Sequence, residues 1–493
     1  MPHYSGRQGH ANKRKFHGAM FPPVSRPCQD SRRELCWGMI PNPLAASLRL
    51  LVAVGTLCAG SSIFAANTDR HVVLISIDGF PAYLWHDATI PLPNLRKLAA
   101  SGVAAKAMST VNPTITWPNH TTLVTGVTPR RHGVLYNAWV GRGGPGQPIK
   151  RDQWIDRDKL VRVPTVYDAA HAARLTTAES DWVAITRAPT VNWSFAELPD
   201  RDNPLVREMV AAGIAKPDEI AAAASGKRNI VWRDEMWLRA ATFAFERHHP
   251  NLLLLHFLNT DSSHHRYGPG TLAGTSALAL ADRLVGEMLR SIEASGLREK
   301  TTVMIVSDHG FKKVSQYVYP NVILRKAGFL KTAGARIVSC DAYAGTQGGM
   351  AFVYVTDPSR REELLPALME LFQNSEGVDR VIDGRQGPSL DMPLPSENEA
   401  MGDIILFAKP GFAMSGGATG ELSVGPTTDY SGTHGFLSSD PELDAIFIAA
   451  GAGIKRGIEV DRVSNLDVAP TIAHLLDVPL PTADGNVMRE ILE

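Results

Sequence analysis

The chain has 493 residues, 44% of them hydrophobic and 20% charged, a balance that excludes a disordered polypeptide and points to a folded globular protein. Its 50 Lys/Arg match its 50 Asp/Glu, so no basic excess is available to hold a nucleic-acid backbone as a stable partner, although a nucleotide substrate stays open. The length suits one large α/β core with inserted pieces better than two equal domains.

Residues 1–66 stand apart. A basic start with Arg7, Lys13, Arg14, Lys15, Arg26, Arg32 and Arg33 leads to Arg49, then to an uncharged run whose apolar part is LLVAVGTLCAG, and ends in the small residues SIFAA. Charge, short apolar stretch and small-residue exit are the parts of a cleaved secretory signal. The apolar part is broken by Gly55, Gly60, Ser61 and Ser62 and is short for a membrane span of ~20 residues, so no stable span is expected after cleavage. Residues 1–38 are long for such a leader, and the natural start is expected at Met39 or Met20. Residues 1–66 carry eight Lys/Arg and two Asp/Glu, so the expected periplasmic or secreted remainder has 42 basic and 48 acidic residues, a net charge of −6. Cys28, Cys36 and Cys58 leave with the leader; Cys340 remains and reads as a small buried hydrophobe.

Beyond the leader, short aliphatic blocks alternate with helical patterns. His71–Ile77, Leu252–Phe257, Thr302–Ser307 and Ala445–Ala449 read as strands buried on both faces. Leu95–Ala100, Ser276–Ala294 and Ala469–Leu476 read as helices between them. The alternation predicts a mostly parallel sheet with helices on both faces. Residues 67–311 and 431–493 are expected to form the catalytic domain, and 312–430 an inserted α+β subdomain with strands at Met350–Val355 and Asp403–Ala408 and a helix at Arg360–Phe372.

Three of the strands run into metal-binding residue types. Asp78 follows the first, Asp261 and His265 the second, Asp308 and His309 the third, and open α/β sheets place their ligands at such carboxyl ends. Asp261 and His265 are four apart and share a face of a helical turn. His434 sits on a loop within Gly-Thr-His-Gly. Three Asp and three His make the mixed oxygen and nitrogen set that suits zinc. In Asn112-Pro-Thr-Ile-Thr116-Trp-Pro118, a hydroxyl precedes a proline of the kind that opens a helix, where backbone N–H groups favour a phosphate. A threonine hydroxyl becomes a nucleophile only when a base or metal removes its proton.

The ordered set Asp78, Thr116-Trp-Pro-Asn-His120, His132-Gly-Val-Leu-Tyr-Asn137, Asp261-x-x-x-His265-x-x-Gly-Pro, Asp308-His309-Gly and Gly-Thr-His434-Gly resembles the motifs of the type I phosphodiesterases/nucleotide pyrophosphatases of the alkaline phosphatase superfamily. The resemblance spans about 70 to 480 and includes the tail Asp467-Val-Ala-Pro-Thr-Ile-Ala-His. It implies an alkaline phosphatase-like three-layer αβα sandwich with a mostly parallel central sheet and an inserted smaller subdomain. It also implies two Zn²⁺ ions, one held by Asp261, His265 and His434, the other by Asp78, Asp308 and His309 and bound to the Thr116 oxygen. By the same resemblance Thr116 is the nucleophile of a phosphothreonine intermediate, Asn137 a donor to a phosphoryl oxygen, and Trp117 an aromatic that stacks on the substrate. Departures lie near the pocket: Asn259-Thr260 stands where the family has Glu-Pro, His264 where glycine is common, and Ile185-Thr-Arg-Ala-Pro189 roughly where it has Trp-Pro-Gly.

The implied activity is hydrolysis of a small phosphodiester or nucleotide pyrophosphate. A phosphomonoesterase or phosphonate hydrolase would use the same metals, whereas a sulfatase would need a Cys/Ser-x-Pro-x-Arg setting that Thr116 lacks. A non-catalytic metal-binding relic would have lost a ligand or the hydroxyl, and none is missing. Trp117 and Asn137 are uncharged, which favours a diester over a doubly charged monoester; Arg187 and Arg266 are the cations whose direction bears on that choice. Among the other histidines, His248, His249 and His474 read as solvated, His256 as a hydrogen-bonded core residue, and His120 and His132 as packing around the nucleophile turn. Asn119 reads as a turn residue, and His264 is the competitor of His265.

Overall fold

Alternation along one strand, β1 (His71–Ile77), divides the core in two. Val73, Ile75 and Ile77 face one apolar layer with Leu253, Leu255, Phe257, Val303 and Ile305. Val72 and Leu74 face the other with Leu252, Leu254, Met304 and Val306. Side chains on a strand alternate faces, so a strand with apolar residues on both faces must be covered on both sides. Helices Pro93–Ala100, Ile230–His248 and Leu272–Ala294 cover the first face, and Thr116–Thr125, Val166–Ala172 and Val468–Leu475 the second. The computed structural model describes residues 66–493, so the expected signal and the three cysteines assigned to it lie outside the described residues.

The central sheet adds β2 (Val103–Ser109), β3 (Thr177–Ser180), β4 (Trp193–Phe195), β5 (Leu252–Phe257), β6 (Thr301–Val306), β7 (Phe447–Gly451) and β8 (Ile458–Ser464), in the order β8-β2-β7-β6-β1-β5-β3-β4. Every neighbouring pair is parallel except those of β7, which runs antiparallel to both β6 and β2. The sheet is therefore mostly parallel, as expected. The strand expected at Ala445–Ala449 begins two residues later, because Ala445 is spent on isolated bridges to Pro81 and Met108.

This topology sets the site. Asp78, Asp261, Asp308 and the Thr116 turn all follow the carboxyl ends of like-directed strands, β1, β5, β6 and β2. β7 runs the opposite way, so the segment that precedes it, with His434, arrives at the same edge. Smaller sheets lie in the intervening sequence, one of them four-stranded and antiparallel: Ala342–Gln347, Met350–Val355, Ile404–Ala408 and Val378–Asp383, in that order. Its first hairpin turn meets the His434 loop, where Gly349 N–H donates to His434 O at 2.7 Å. Gly348 has φ +66°, and a Cβ there would lie 2.4 Å from His434 O, so this approach requires glycine. Among the described residues no helix is long and apolar enough to cross a membrane.

Candidate active site

Five separate segments converge on one buried cluster. Asp78 and Asp308 are fully buried, and each uses one carboxylate oxygen to anchor itself. Asp308 Oδ1 accepts from Gly79 N–H at 3.1 Å and His309 N–H at 3.0 Å. Asp78 Oδ2 meets His256 Nε2 at 3.0 Å. The remaining oxygens, Asp308 Oδ2 and Asp78 Oδ1, lie 3.1 and 3.4 Å from His309 Nε2. Gly79 (φ +65°) lets the chain turn there, since a Cβ would meet the Phe311 ring at 2.9 Å.

The three expected histidines share one device. His309 Nδ1 faces Gly310 O at 3.1 Å, His434 Nδ1 faces Thr114 O at 2.9 Å, and His265 Nδ1 faces Gly432 O at 3.0 Å. A carbonyl can only accept, so each Nδ1 carries a proton and each Nε2 is left facing the cluster carboxylates. Nε2 of His265 and of His434 lie 3.3 and 3.6 Å from Asp261 Oδ1. His264, by contrast, donates to Gly79 O and buries its other nitrogen against the Leu272–Ala294 helix at Gly274. It faces away from the cluster, so His265 is the member of the pair that joins it.

Two groups here have metal-ligand spacing: Asp78 with Asp308 and His309, and Asp261 with His309 and His434. The first coincides with one expected ligand set. The second differs by one member: His309 stands between the sets, its ring stacked on His434 at 3.7 Å, and His265 approaches through Asp261. Asp78 Oδ1, Asp261 Oδ1, Asp308 Oδ2 and His309 Nε2 are buried without a hydrogen-bond partner, and all four belong to these groups. Buried polar atoms normally find partners. Carboxylate oxygens and imidazole lone pairs facing one another fit divalent cations, and the oxygen and nitrogen mixture fits zinc.

The electrostatics agree. Burial, with the charge of Asp261 added, pushes Asp78 up to about 6. Burial and Asp78 push Asp308 well above the usual carboxylate range. Burial also raises Asp261, but His265, His434 and His309 outweigh it and hold that carboxyl low. Burial and His265 take His434 down to about 4. Burial holds His309 and His434 low, whereas at His265 burial is outweighed by the neighbouring Asp261, which raises it, so carboxyl and imidazole groups crowd one another in an arrangement that a bound cation relieves.

Thr116 opens the helix Thr116–Thr125 and is nearly buried. Asn119 sets the preceding loop: its Oδ1 accepts from Val111 N–H at 2.9 Å, and its Nδ2 donates to Pro113 O and Ile115 O at 3.0 Å each. Thr114 ties the same loop to the His434 segment through Phe436 O at 2.7 Å. His120 donates to Thr116 O at 2.9 Å. His132 lies in a core hydrogen-bond chain with Thr122 and Val134 N–H, and burial takes it down to about 3. Asn137 Oδ1 accepts from Trp117 N–H at 2.9 Å, leaving both amide hydrogens of Asn137 for another acceptor.

Two clefts flank this turn. One, of about 610 Å³, is lined by Asn137, His265, His434, Tyr136, Arg151 and Tyr430 among others. The second, of about 510 Å³, is lined by Trp117, Trp182, Glu179 and Arg187 among others, and shares Gln153 and Trp154 with the first. Arg187 is 65% exposed and already paired with Asp156. Arg266 lies over the Tyr267 ring, 3.8 Å from Asp429. Arg151, which stacks 5.1 Å over Tyr136, is a cleft cation that sequence reasoning missed, because it stands on an exposed three-residue strand. His256 was legible as a buried hydrogen-bonded residue, but its partners Asp78 and Asp181 are distant in sequence.

A sequence model of the family described as type I phosphodiesterase/nucleotide pyrophosphatase matches residues 72–437. Human ectonucleotide pyrophosphatase/phosphodiesterase family member 7 is 24% identical over 456 residues, covering 89% of this chain and 87% of the relative. Rat family member 1 is 24% identical over 432 residues, 84% of this chain, but the match spans only 42% of that longer relative. Among solved structures, inactive murine ectonucleotide pyrophosphatase/phosphodiesterase 5 in complex with AMP superposes with a TM-score of 0.65 at 16% identity, over 86% of this chain and all of that one. The α/β architecture is thus shared with that group, as an alkaline phosphatase-like fold.

Proposed function

The chain belongs to the type I phosphodiesterase/nucleotide pyrophosphatase family and is a hydrolase of that type, and on that premise we propose that it cleaves a small phosphodiester or nucleotide pyrophosphate through a phosphothreonine on Thr116. The observation that carries this reading is the convergence of unpartnered carboxylate oxygens and the His309 Nε2 at the sheet edge where the Thr116 helix begins. Asp78, Asp308 and His309 would hold one Zn²⁺, and Asp261, His265 and His434 the other, with His309 within reach of both sets. Bound there, two zinc ions supply Lewis-acid stabilisation of phosphoryl oxygens and ease removal of a hydroxyl proton.

Thr116 Oγ attacks phosphorus, the bond to the leaving oxygen breaks, and that oxygen leaves with a proton; water then cleaves the phosphothreonine and restores the hydroxyl. Asn137 donates its free amide hydrogens to a phosphoryl oxygen, and its bond to Trp117 N–H holds it in that attitude. Trp117 forms the apolar shelf for the retained substituent. With Arg187 paired to Asp156 and largely exposed, no free cation of that loop is offered to a monoester's extra charge. Arg151 favours the pyrophosphate arm, because a second phosphate in its cleft would have a guanidinium to meet. Residues 312–430 are read as an inserted subdomain that supplies part of the cleft wall through Thr346, Gln347 and Gly348. Export to the periplasm or medium follows from the leader, and N-terminal sequencing of the exported protein should begin near Ala66.

The test is turnover of paired phosphate mono- and diester substrates by purified protein, with and without added zinc. Zinc-dependent diester turnover is expected. A monoester preference above ~100-fold in kcat/KM, about 2.7 kcal/mol of transition-state preference, would reassign the enzyme as a phosphomonoesterase.

A further inference from the structure

Five of the six residues of β5 are leucine or phenylalanine; the sixth is His256, only 1% exposed and registered opposite Ser76 of β1. A polar side chain at such a position costs stability unless it is bonded on all sides. His256 is so bonded, and both its partners are acidic residues. Its Nε2 lies 3.0 Å from Asp78 Oδ2, and its Nδ1 lies 3.1 Å from the Asp181 carbonyl and 3.0 Å from Asp181 Oδ2. Asp181 follows β3 in a left-handed conformation, φ +58°, which non-glycine residues rarely hold without a compensating contact. On its flank the His256 ring packs edge-on against His120 at 4.6 Å, and His120 is the group that bonds the carbonyl of Thr116.

We propose that His256, seated on Asp181, is a positioning residue that pins Asp78 Oδ2 and thereby turns Asp78 Oδ1 into the metal cluster beside His309. Asp308 is anchored by main-chain N–H groups, whereas the Asp78 carboxylate is held from behind by the side chain of His256. Remove it, and Asp78 is free to rotate both oxygens away from Asp308. Through His120 the same ring also braces the first turn of the nucleophile helix. The proposal rests on the reading of Asp78 as a metal ligand, and partners behind a ligand are typically worth 10–100-fold in metal affinity.

The test uses two near-isosteric replacements. The amide nitrogen of asparagine falls near the position of Nδ1 and that of glutamine near Nε2, so His256→Gln keeps a donor toward Asp78 while His256→Asn keeps only the donor toward Asp181. Zn²⁺ is titrated into metal-free full-length protein against a chromophoric chelator, without substrate, and folding is followed by circular dichroism. The wild type is expected to take up two equivalents. His256→Asn should weaken one of them by about 10–100-fold and spare the other, and His256→Gln should stay within about threefold of wild type. Equal affinities in wild type and a folded His256→Asn overturn the proposal while leaving the metal reading standing. A wild type that takes up no zinc overturns both. Should His256→Asn fail to fold, Asp181→Ala leaves β5 untouched and should weaken the same equivalent by about 10-fold; wild-type affinity in that variant overturns the proposal.

Discussion

Replacing Asn119 by alanine should cost the fold about 4 kcal/mol, although this residue touches neither metal ligands nor cleft. Asn119 is fully buried, and its amide serves the loop that delivers Thr116. Alanine removes the acceptor of two buried donors at once: Val111 N–H at 2.9 Å and Asn465 Nδ2 at 2.9 Å. Among the described residues neither donor has another acceptor, whereas Pro113 O and Ile115 O, which lose the amide donor, keep the N–H groups of Ile115 and Asn119. Each orphaned buried donor costs about 1–3 kcal/mol, so two centre on about 4 kcal/mol, against a total stability of roughly 5–15 kcal/mol. The assay is urea unfolding followed by circular dichroism, with a lowered midpoint and an unchanged slope. The loop runs directly into the nucleophile, so kcat should fall by about 10-fold or more at a temperature where the variant is still folded. A folded Asn119→Ala protein within 1 kcal/mol of wild type would show that the loop is held by something other than this side chain.

Thr116→Ala should lower kcat by at least about 10⁴-fold while shifting stability by no more than about 1 kcal/mol and leaving zinc content unchanged; residual turnover near the wild-type level refutes the nucleophile. Zinc analysis should find about two ions per chain, lost on chelation together with activity, with Asp308→Asn and His434→Gln each weakening one site; a single magnesium and no zinc would break the ligand assignment. Burial pushes Glu179 up to about 7, against the pull of the Ser194 hydroxyl and Trp182 N–H. A carboxyl whose pKa is raised on folding stabilises the protein fully below its unfolded value near 4.5, and that contribution is lost as pH rises through about 7. The loss amounts to about 3 kcal/mol. Glu179→Gln should flatten the decline between pH 4.5 and 7, and an unchanged profile would mean that the carboxylate is stabilised in the fold.

Much of the site could be read from the chain because its chemistry is local. Asp78, Asp308 and His309 stand directly after aliphatic strands, and Asp261 and His265 share a helical turn, so residue type and position name the candidates without a fold. The two-sided burial of β1 was likewise written in its apolar run Val72–Ile75. What escaped depends on long-range pairing. Nothing near Ala445 announces that β7 runs against its neighbours, nor that Ala445 itself bridges to Pro81 and Met108. The place of His309 between two ligand groups follows from its stacking on His434, 125 positions on. Arg151 has no apolar periodicity around it and no motif, and becomes a cleft residue only when its short strand folds back beside Tyr136.

The hydrogen bonds behind the three cluster imidazoles run to carbonyls of Thr114, Gly310 and Gly432, that is, to main chain. A main-chain carbonyl survives every amino-acid substitution at its own position. Random mutation therefore has few ways to turn these rings other than by changing the histidines themselves or displacing whole loops. Asp78 is guarded differently, by a side chain that a single codon change can remove. A saturation screen for lost activity should therefore return hits at His256 and few at Thr114, whereas hits at Gly310 and Gly432 would report displaced backbone, since a Cβ there would lie 2.1 Å from Glu442 O and 2.5 Å from His264 O.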